Sequence, residues 1–595
     1  MSGLVGVVGH GSRSLVSEAE LDVLAADYER LRGGGTRLVR AAAGFARVAK
    51  IARSAVGEAD PAPGSSWVLT SGTAHDRGSS AGMDLADLDG QFAWTCYDAA
   101  HAEFSLASDP FGMQSLYVAE RAGRTYFSTS ALALASHLRA GPSSLGLGMF
   151  LRAGYQVGPV TAWEGIERLP PGTRINFTQR GPTREVHWRP SIDDAVADLN
   201  LQDTMDLCRQ VVTDTFRAYL GEQPPTWADL TSGYDTRFMT LLLREADVDF
   251  VTNTIINVHT MDAQIASQIA RVAQWEWHSF ELPGDWPETL PKMLPEAVAW
   301  GDCHLNALQL AEVLWGHREK ARLHGSLLTG GGGEHFRHVA WQSEFLNAGR
   351  TKQVNFDNWV DMVLMWPMNT DLFARDPSAE VRGYLRDAMV ARAEPYSAYL
   401  NTTQLDVLHA YRTTGHLGAY RSSSLGYLAA ELPFYFKPVY DVAISTNYRY
   451  RNNHGLMRHM IESLDPKLAA LPASIGGPAE PQRLTNLHRF IPYYRKYARK
   501  AITKVGQRLI GRALLLPPPI PDELRTSARA AVVESLSEDG PLRAEQMRSG
   551  PLYAPRALNA LLARAGDPTL KEAKVLERIL TAERALRMVD GAVDT

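Results

Sequence analysis

Residues 226–237 read T-W-A-D-L-T-S-G-Y-D-T-R: an apolar run ends in the small polar turn Thr231-Ser232-Gly233, and a helix-spaced pattern of Phe238, Leu241 and Leu242 follows. Strand, tight turn and helix N-terminus in that order make an anion site. The first N–H groups of a helix lack internal partners and carry the positive end of its dipole. Gly233 lets the main chain approach a phosphate closely. Asp235 repels a phosphate directly, and makes sense as a magnesium ligand bridging to phosphate oxygens. Taken alone, the segment is equally an ordinary strand-to-helix turn capped by a Thr or Asp.

A second segment has the same form. Residues 325–329 read as a short buried strand that runs into Gly330-Gly331-Gly332-Gly333-Glu334. Four consecutive glycines do not sit inside a stable helix or strand. Patterned apolar sequence continues on both sides, which argues for backbone wrapping a ligand rather than a floppy linker. Glu334 then opens a further helical pattern with Phe336, Val339 and Ala340. Two loop acids that share a metal suit a pyrophosphate leaving group, as in attack on the α-phosphate of ATP. The expected ligands are ATP and Mg2+, with Asp235 and Glu334 on the metal and the backbone of 232–236 and 330–333 around the pyrophosphate.

In the order of these motifs the chain resembles the asparagine synthetase family over most of residues 1–475. The family's S-G-G-x-D-S loop falls on Thr231, Ser232, Gly233, Tyr234, Asp235 and Thr236, and its S-G-x-G-x-D loop on Thr329, Gly330, Gly331, Gly332, Gly333 and Glu334. Asp262 with Ala266 and Ala270 is similar to the acid-opened helix after a second strand, here 250–255. Glu431-Leu432-Pro433-Phe434, Arg458 and Leu471-Pro472 resemble the family's final active-site segments. The front end resembles its class II amidotransferase domain: Met1-Ser2-Gly3-Leu4-Val5-Gly6, Leu88-Asp89-Gly90-Gln91-Phe92-Ala93, Ser108-Asp109-Pro110-Phe111-Gly112 and Leu169-Pro170-Pro171-Gly172. The fold implied is α/β. An N-terminal Ntn-type α/β/β/α sandwich spans 1–190. A parallel α/β ATP-pyrophosphatase (adenine nucleotide alpha-hydrolase-like) domain spans 200–475, and a helical C-terminal extension spans 476–595. The domain boundary falls in the polar, proline-bearing stretch 179–190.

Departures from the pattern shape the activity implied. The glutaminase needs an N-terminal Cys as its thiolate nucleophile, and position 2 is Ser2; the oxyanion-hole Asn-Gly is altered to Ser71-Gly72. That pattern resembles β-lactam synthetases and lasso-peptide cyclases, which keep the front domain without glutaminase and take the amine from the substrate. Gly331 stands where amide-forming members carry Glu or Tyr, Glu334 where they carry Asp, Ser232 where they carry Gly, and Tyr234 where they carry a small residue. The late Lys has no clear match; His454, four residues before Arg458, is the nearest candidate. The implied activity is an AMP-forming carbon–nitrogen ligase in secondary or glycan/lipid metabolism. It adenylates a small-molecule or peptide carboxylate and transfers it to an amine, without glutamine hydrolysis. Asp235, Glu334, His454 and Arg458 would be catalytic, with Asp262 and the strand end near 253–255 beside the adenosine. A lasso-type peptide macrocyclase and a catalytically inactive scaffold are the alternatives. Glu334, His335 and His338 also read as a partial metal cluster that lacks further ligands.

At 595 residues two or three domains are expected, and 45% hydrophobic with 21% charged residues is ordinary for a globular chain. No apolar run approaches a membrane span, and Leu4–Val8 lacks a basic leader. Three widely spaced cysteines, Cys96, Cys208 and Cys303, suit a reduced cytoplasm. A net charge of −5 gives no reason to expect nucleic acid. The tail differs: residues 483–512 hold nine Lys/Arg and no acid. Lys496, Lys500, Lys504, Arg508 and Arg512 recur every four residues beside Tyr494, Ala498, Ala501, Val505 and Leu509. This basic amphipathic helix either packs on the catalytic domain or touches an anionic membrane or acidic substrate. Residues 514–521 break it, and 525–595 read as a helical appendage.

Overall fold

The computed structural model describes residues 2–10, 15–33, 37–52, 60–62, 64–78, 84–178, 181–255, 260–344, 346–365, 368–474, 476–496, 498–499, 522–537 and 540–591. The front half is built from β1 (Ser2–Gly9), β2 (Arg37–Ala43), β3 (Ala46–Ala52), β4 (Trp67–Asp76), β5 (Leu88–Asp98), β6 (Glu103–Ser108), β7 (Tyr117–Arg121), β8 (Arg124–Ser128), β9 (Ile166–Arg168), β10 (Thr173–Thr178) and β11 (Gly181–Val186). They form two antiparallel sheets, ordered β2-β3-β1-β8-β7-β9 and β11-β10-β6-β5-β4. Alternation sets the buried face: in β10, Thr173, Ile175 and Phe177 are buried while the residues between them are half-buried. Leu4, Val8, Phe104, Leu106, Phe127 and Phe177 share one core between the sheets. Helices Glu18–Arg32 and Ala131–Leu138 pack on the first sheet through Leu21, Leu24 and Leu132. β11 lies inside the stretch expected to be a connector; pairing with β10 over Thr173–Thr178 holds it in the sheet.

A parallel sheet follows: β12 (Thr226–Asp229), β13 (Phe250–Ile255), β14 (Trp277–Phe280), β15 (Ser326–Leu328) and β16 (Ala429–Glu431), in the order β14-β13-β12-β15-β16. Every neighbouring pair is parallel. Helices Tyr234–Glu245 and Met261–Ala273 cover one face, where Ala228, Leu230 and Leu328 join Phe238, Leu241, Leu242 and Ile269 in one core. Trp227, Leu327, Leu428 and Ala430 fill the other. From β12 the chain builds outward through β13 and β14, then returns to lay β15 on the opposite edge of β12. The order reverses there, so the loops after β12 and β15 leave the sheet side by side. Such a switch point is where open parallel sheets leave a crevice for ligands.

The two halves meet across a polar seam. The Gln91 amide donates to the carbonyl of Leu432 (2.9 Å) and accepts from its N–H (3.1 Å). His75 pairs with Glu431 at 2.7 Å, and Asp89 accepts from the Lys437 N–H and the Tyr219 hydroxyl. Behind them, buried Arg421 donates to the Ala430 carbonyl and to Gln114.

The C-terminal part is helical: Glu523–Ser535, Pro555–Leu562 and Ala573–Val589. Val532, Leu576, Ile579 and Leu580 share the largest core with Trp286, Leu290 and Leu294 of helix Trp286–Gly301 and with Leu132 and Phe150 of the front half. Residues 500–512 and 514–521, where much of the basic helix and its proline break were expected, lie outside the described residues. Among the described residues no helix is long and apolar enough to cross a membrane.

Because the tail is part of this core, Leu580→Ala should lower stability by about 2–5 kcal/mol in urea titration, whereas the 60%-exposed Leu323→Ala should change it by less than about 0.5 kcal/mol.

Candidate functional site at the sheet switch point

The two glycine loops touch. A Cβ on Gly330 would lie 2.8 Å from the backbone nitrogen of Thr236, and one on Gly333 would lie 2.8 Å from Cβ of Asp235. Gly332 takes a φ of +96°, and a Cβ there would strike Tyr435 and Phe434 at 2.8–2.9 Å. A Cβ on Gly331 would meet Leu432 and Leu417. The run is therefore glycine because protein presses on it from several sides. No α-helix follows: Gly333–Phe336 and Val339–Glu344 are 3-10 turns, interrupted where Arg337 turns extended (φ −140°, ψ 174°).

The turn after β12 is internally wired. Thr231 N–H donates to Thr236 Oγ1 (3.0 Å), Ser232 N–H to Asp262 Oδ1 (2.7 Å) and Gly233 N–H to Thr231 Oγ1 (3.1 Å). Ser232 Oγ donates to the same Asp262 oxygen. A carboxylate of the chain thus occupies the helix N-terminus, where negative charge is favoured. In the second loop Gly332 N–H donates to Glu334 Oε2 (2.9 Å), and Gly333 N–H to the Gly330 carbonyl (3.2 Å).

Asp235 and Glu334 are each met by a base. Asp235 Oδ2 pairs with Arg337; its Oδ1 is buried without a hydrogen-bond partner. Burial pushes the Asp235 carboxyl up to about 6, with the nearby Glu334 charge adding to the rise and Arg337 opposing it. Glu334 Oε1 lies 3.3 Å from His409 Nε2. Burial alone would raise Glu334, but the hydrogen bond and charge of His409, with His335, hold it below the usual carboxylate range.

Behind the turn lies a cationic and aromatic wall. Arg458 donates to the Tyr234 hydroxyl (3.1 Å), and its guanidinium sits 4.9 Å from the Phe490 ring centre and 5.3 Å from that of Tyr493. The Tyr234 hydroxyl donates to the Pro478 carbonyl (3.1 Å). The His454 ring lies edge-on to Tyr234 (5.5 Å between centroids), and its backbone N–H donates to His338 Nδ1 (3.3 Å). Asn453 and His454 both have left-handed backbones, with φ of 51° and 60°, a strained pair for residues other than glycine. Both His454 ring nitrogens are buried without partners. Burial and the neighbouring His338, Arg337 and Arg458 keep that imidazole neutral.

The residues singled out in the sequence therefore converge: 231–236, Asp262 and 330–334 at one mouth, Arg458 and His454 against Tyr234. Arg337, His409, His338 and Tyr493 also belong to the site. Arg337 stands three residues after Glu334; His409 comes from helix Asn401–Ser424, with nothing local to announce it. The Glu334-His335-His338 cluster is not assembled. His335 faces Tyr435 and Tyr440 while His338 faces His454, and among the described residues no group of three or more His, Cys, Asp or Glu is placed to hold a metal.

In the front half Ser2 opens β1 opposite Ala52. Ser71 is buried in β4, and Gly72 has a φ of +97°, with a Cβ position 2.3 Å from the Gln91 carbonyl and 2.8 Å from Arg421. All three cysteines are buried, and burial pushes Cys96 up to about 11 and Cys208 and Cys303 up to about 12, which keeps them as thiols.

A family model described as a glutamine amidotransferase domain matches residues 78–188. Solved structures with some likeness include glutamine phosphoribosylpyrophosphate (PRPP) amidotransferase from B. subtilis complexed with ADP and GMP, 11% identical, covering 47% of this chain and 65% of that one at a TM-score of 0.21. Another, titled as the allosteric regulatory enzyme of purine biosynthesis, is 10% identical and covers 43% of this chain and 66% of that one at a TM-score of 0.22. The chain thus spans just under two thirds of either. No curated protein sequence matches it. By the family match alone, the front half contains a domain of the glutamine amidotransferase kind.

The contact between the loops gives a direct test. Gly330→Ala should destabilise the protein by about 1–3 kcal/mol, because its Cβ would meet backbone of the neighbouring helix. Gly325→Ala, five residues earlier with nothing within 4 Å of its Cβ, should be close to neutral. Thermal unfolding of both variants separates the two outcomes.

Proposed function

We propose that the chain is an ATP-dependent, AMP-forming carbon–nitrogen ligase of the asparagine synthetase type that joins a substrate carboxylate to a substrate amine without drawing on glutamine. The carrying observation is the contact of two glycine-bearing strand–loop units at the switch point, with Asp235 Oδ1 buried and unpartnered against Gly333. Mg2+ takes one or two protein carboxylates together with substrate phosphate oxygens and water. Asp235 Oδ1 suits such an ion, and Glu334, close enough to raise the Asp235 carboxyl, would be its second ligand. When bound, the ion would offset charge on the departing pyrophosphate.

The chain's own groups divide the remaining work. Arg337 brings fixed positive charge to the mouth and Arg458 to the buried wall behind it, both suited to phosphate oxygens. A phosphate that reaches the Ser232 amide must displace the Asp262 carboxylate, so Asp262 tunes entry to the anion site. His454, held neutral, can exchange hydrogen bonds with a substrate but does not supply the cation that a late Lys would; Arg458 does. The front domain, with Ser2 in place of Cys, acts here as a structural partner across the Gln91–Leu432 seam. A peptide macrocyclase would use the same chemistry on a different substrate.

One observation favours a second reading, an inactive scaffold. Five loop amides already have acceptors within the chain, and Asp235 already has a cation.

AMP release from ATP in the presence of Mg2+, measured across panels of carboxylates and amines, separates the two. Asp235→Asn should lower turnover about 100-fold or more, and Ser2→Ala should leave it unchanged. Mg2+ affinity of the empty site should weaken as pH drops through about 6, because protonation of the metal-free Asp235 carboxyl competes with the ion. Full activity in Asp235→Asn would reject the ligase assignment.

A further inference from the structure

One segment of the site wall is apolar on both sides. Over residues 484–496 the buried side chains are Asn486, Phe490 and Tyr493, spaced four and three apart. They face inward: Phe490 and Tyr493 flank Arg458, and a Cβ on Gly476 would lie 2.7 Å from the Tyr493 nitrogen. The opposite side carries Leu484, Leu487, Ile491 and Tyr494, which are 91%, 38%, 54% and 45% exposed. Leu487, Ile491 and Tyr494, spaced four and three apart, stay on one face as the chain passes from the 3-10 turn Leu487–Phe490 into the helix 491–496, and Leu484 precedes them in the turn before it. A helix on a protein surface needs one apolar stripe, and that need is met here by the inner one. The outer stripe is a second apolar surface in solvent.

The charge carried by the segment itself is of one sign. Residues 483–512 contain nine Lys/Arg and no acid, in a chain whose net charge is −5. Arg483 and Arg489 pair with Glu462 and Glu480, and Arg495, Lys496 and Arg499 are exposed next to the stripe, with Lys496 donating to the Ser474 carbonyl (3.0 Å). A nucleic acid would use the bases and leave the Leu484–Ile491 stripe exposed. A bilayer with anionic headgroups answers both: headgroup phosphates take the bases, and the acyl boundary takes the apolar side chains, with Tyr494 at the level where aromatic hydroxyls favour lipid interfaces.

We propose that residues 484–496, together with Arg499, dock the protein on the surface of an anionic lipid bilayer. The docking stands independently of the nucleotide reading. Its corollary rests on that reading: with the inner side of the same segment lining the site, the acid or amine joined there is an amphiphile held in the membrane.

Flotation of the full chain with vesicles, in the absence of nucleotide, tests the docking separately from catalysis. The protein should float with phosphatidylcholine vesicles that contain roughly 30% phosphatidylglycerol, and the binding should weaken in high salt. The double variant Leu484→Asp, Ile491→Asp should reduce partitioning about tenfold or more, with Arg495→Glu giving a smaller loss. All of these side chains are exposed, so unchanged circular dichroism and thermal unfolding should accompany the loss. Absence of flotation would overturn the proposal, as would flotation indifferent to these substitutions or equal on pure phosphatidylcholine. Retention on a soluble polyanion without flotation would assign the face to an acidic macromolecule and overturn it as well.

Discussion

Backbone meets backbone where the glycine loop after β15 lies on the first turn of the helix after β12, and the architecture of the site depends on that contact. Gly330 and Gly333 approach Thr236 and Asp235 so closely that a single Cβ at either would collide. The contact brings the acids of two separate strand–loop units together, and it exists because β15 lies directly beside β12 where the sheet order reverses. Burial at that contact raises the Asp235 carboxyl and leaves one of its oxygens unpartnered, the feature on which the proposed magnesium role rests.

The same compactness means that the site answers much of its own charge. Asp262 sits on the amide of Ser232, Glu334 on that of Gly332, and Arg337 on Asp235. Each is the kind of contact that a nucleotide or its metal would make, supplied here by the chain. On the proposed ligase reading, ligand entry would exchange these internal partners for phosphate oxygens rather than fill an empty cradle. The wall of Arg458, Tyr493 and Phe490 then ties the site to the segment whose outer face is apolar and basic, so one short stretch of chain serves the site inside and a surface outside.

The two loops were legible in the sequence because their signals are local. A strand, a turn of small residues and a helix pattern lie within a dozen positions, and β13 falls on the stretch 250–255 expected of the second strand. The antiparallel front half was legible through its short strand motifs for the same reason. In sequence the glycine run reads as wrapping a ligand, since nothing in one sequence says that Tyr435, Leu432 and the helix at 235–236 arrive from elsewhere to press on it. His409 and Tyr493 were unreadable as site residues because helix packing delivers them over long separations. The 3-10 geometry after Gly333 was missed because Arg337 leaves the helical path to reach Asp235. Membership of the tail in the main core was likewise invisible, as its partners at 286–298 stand more than two hundred residues upstream.

Equilibrium binding of ATP to the full chain by isothermal titration calorimetry, with and without Mg2+, tests the central claim most directly. Saturable binding at submillimolar ATP that requires Mg2+ is the predicted result. The absence of saturable binding at millimolar ATP and Mg2+ would contradict it and leave the two loops as a packed structural joint.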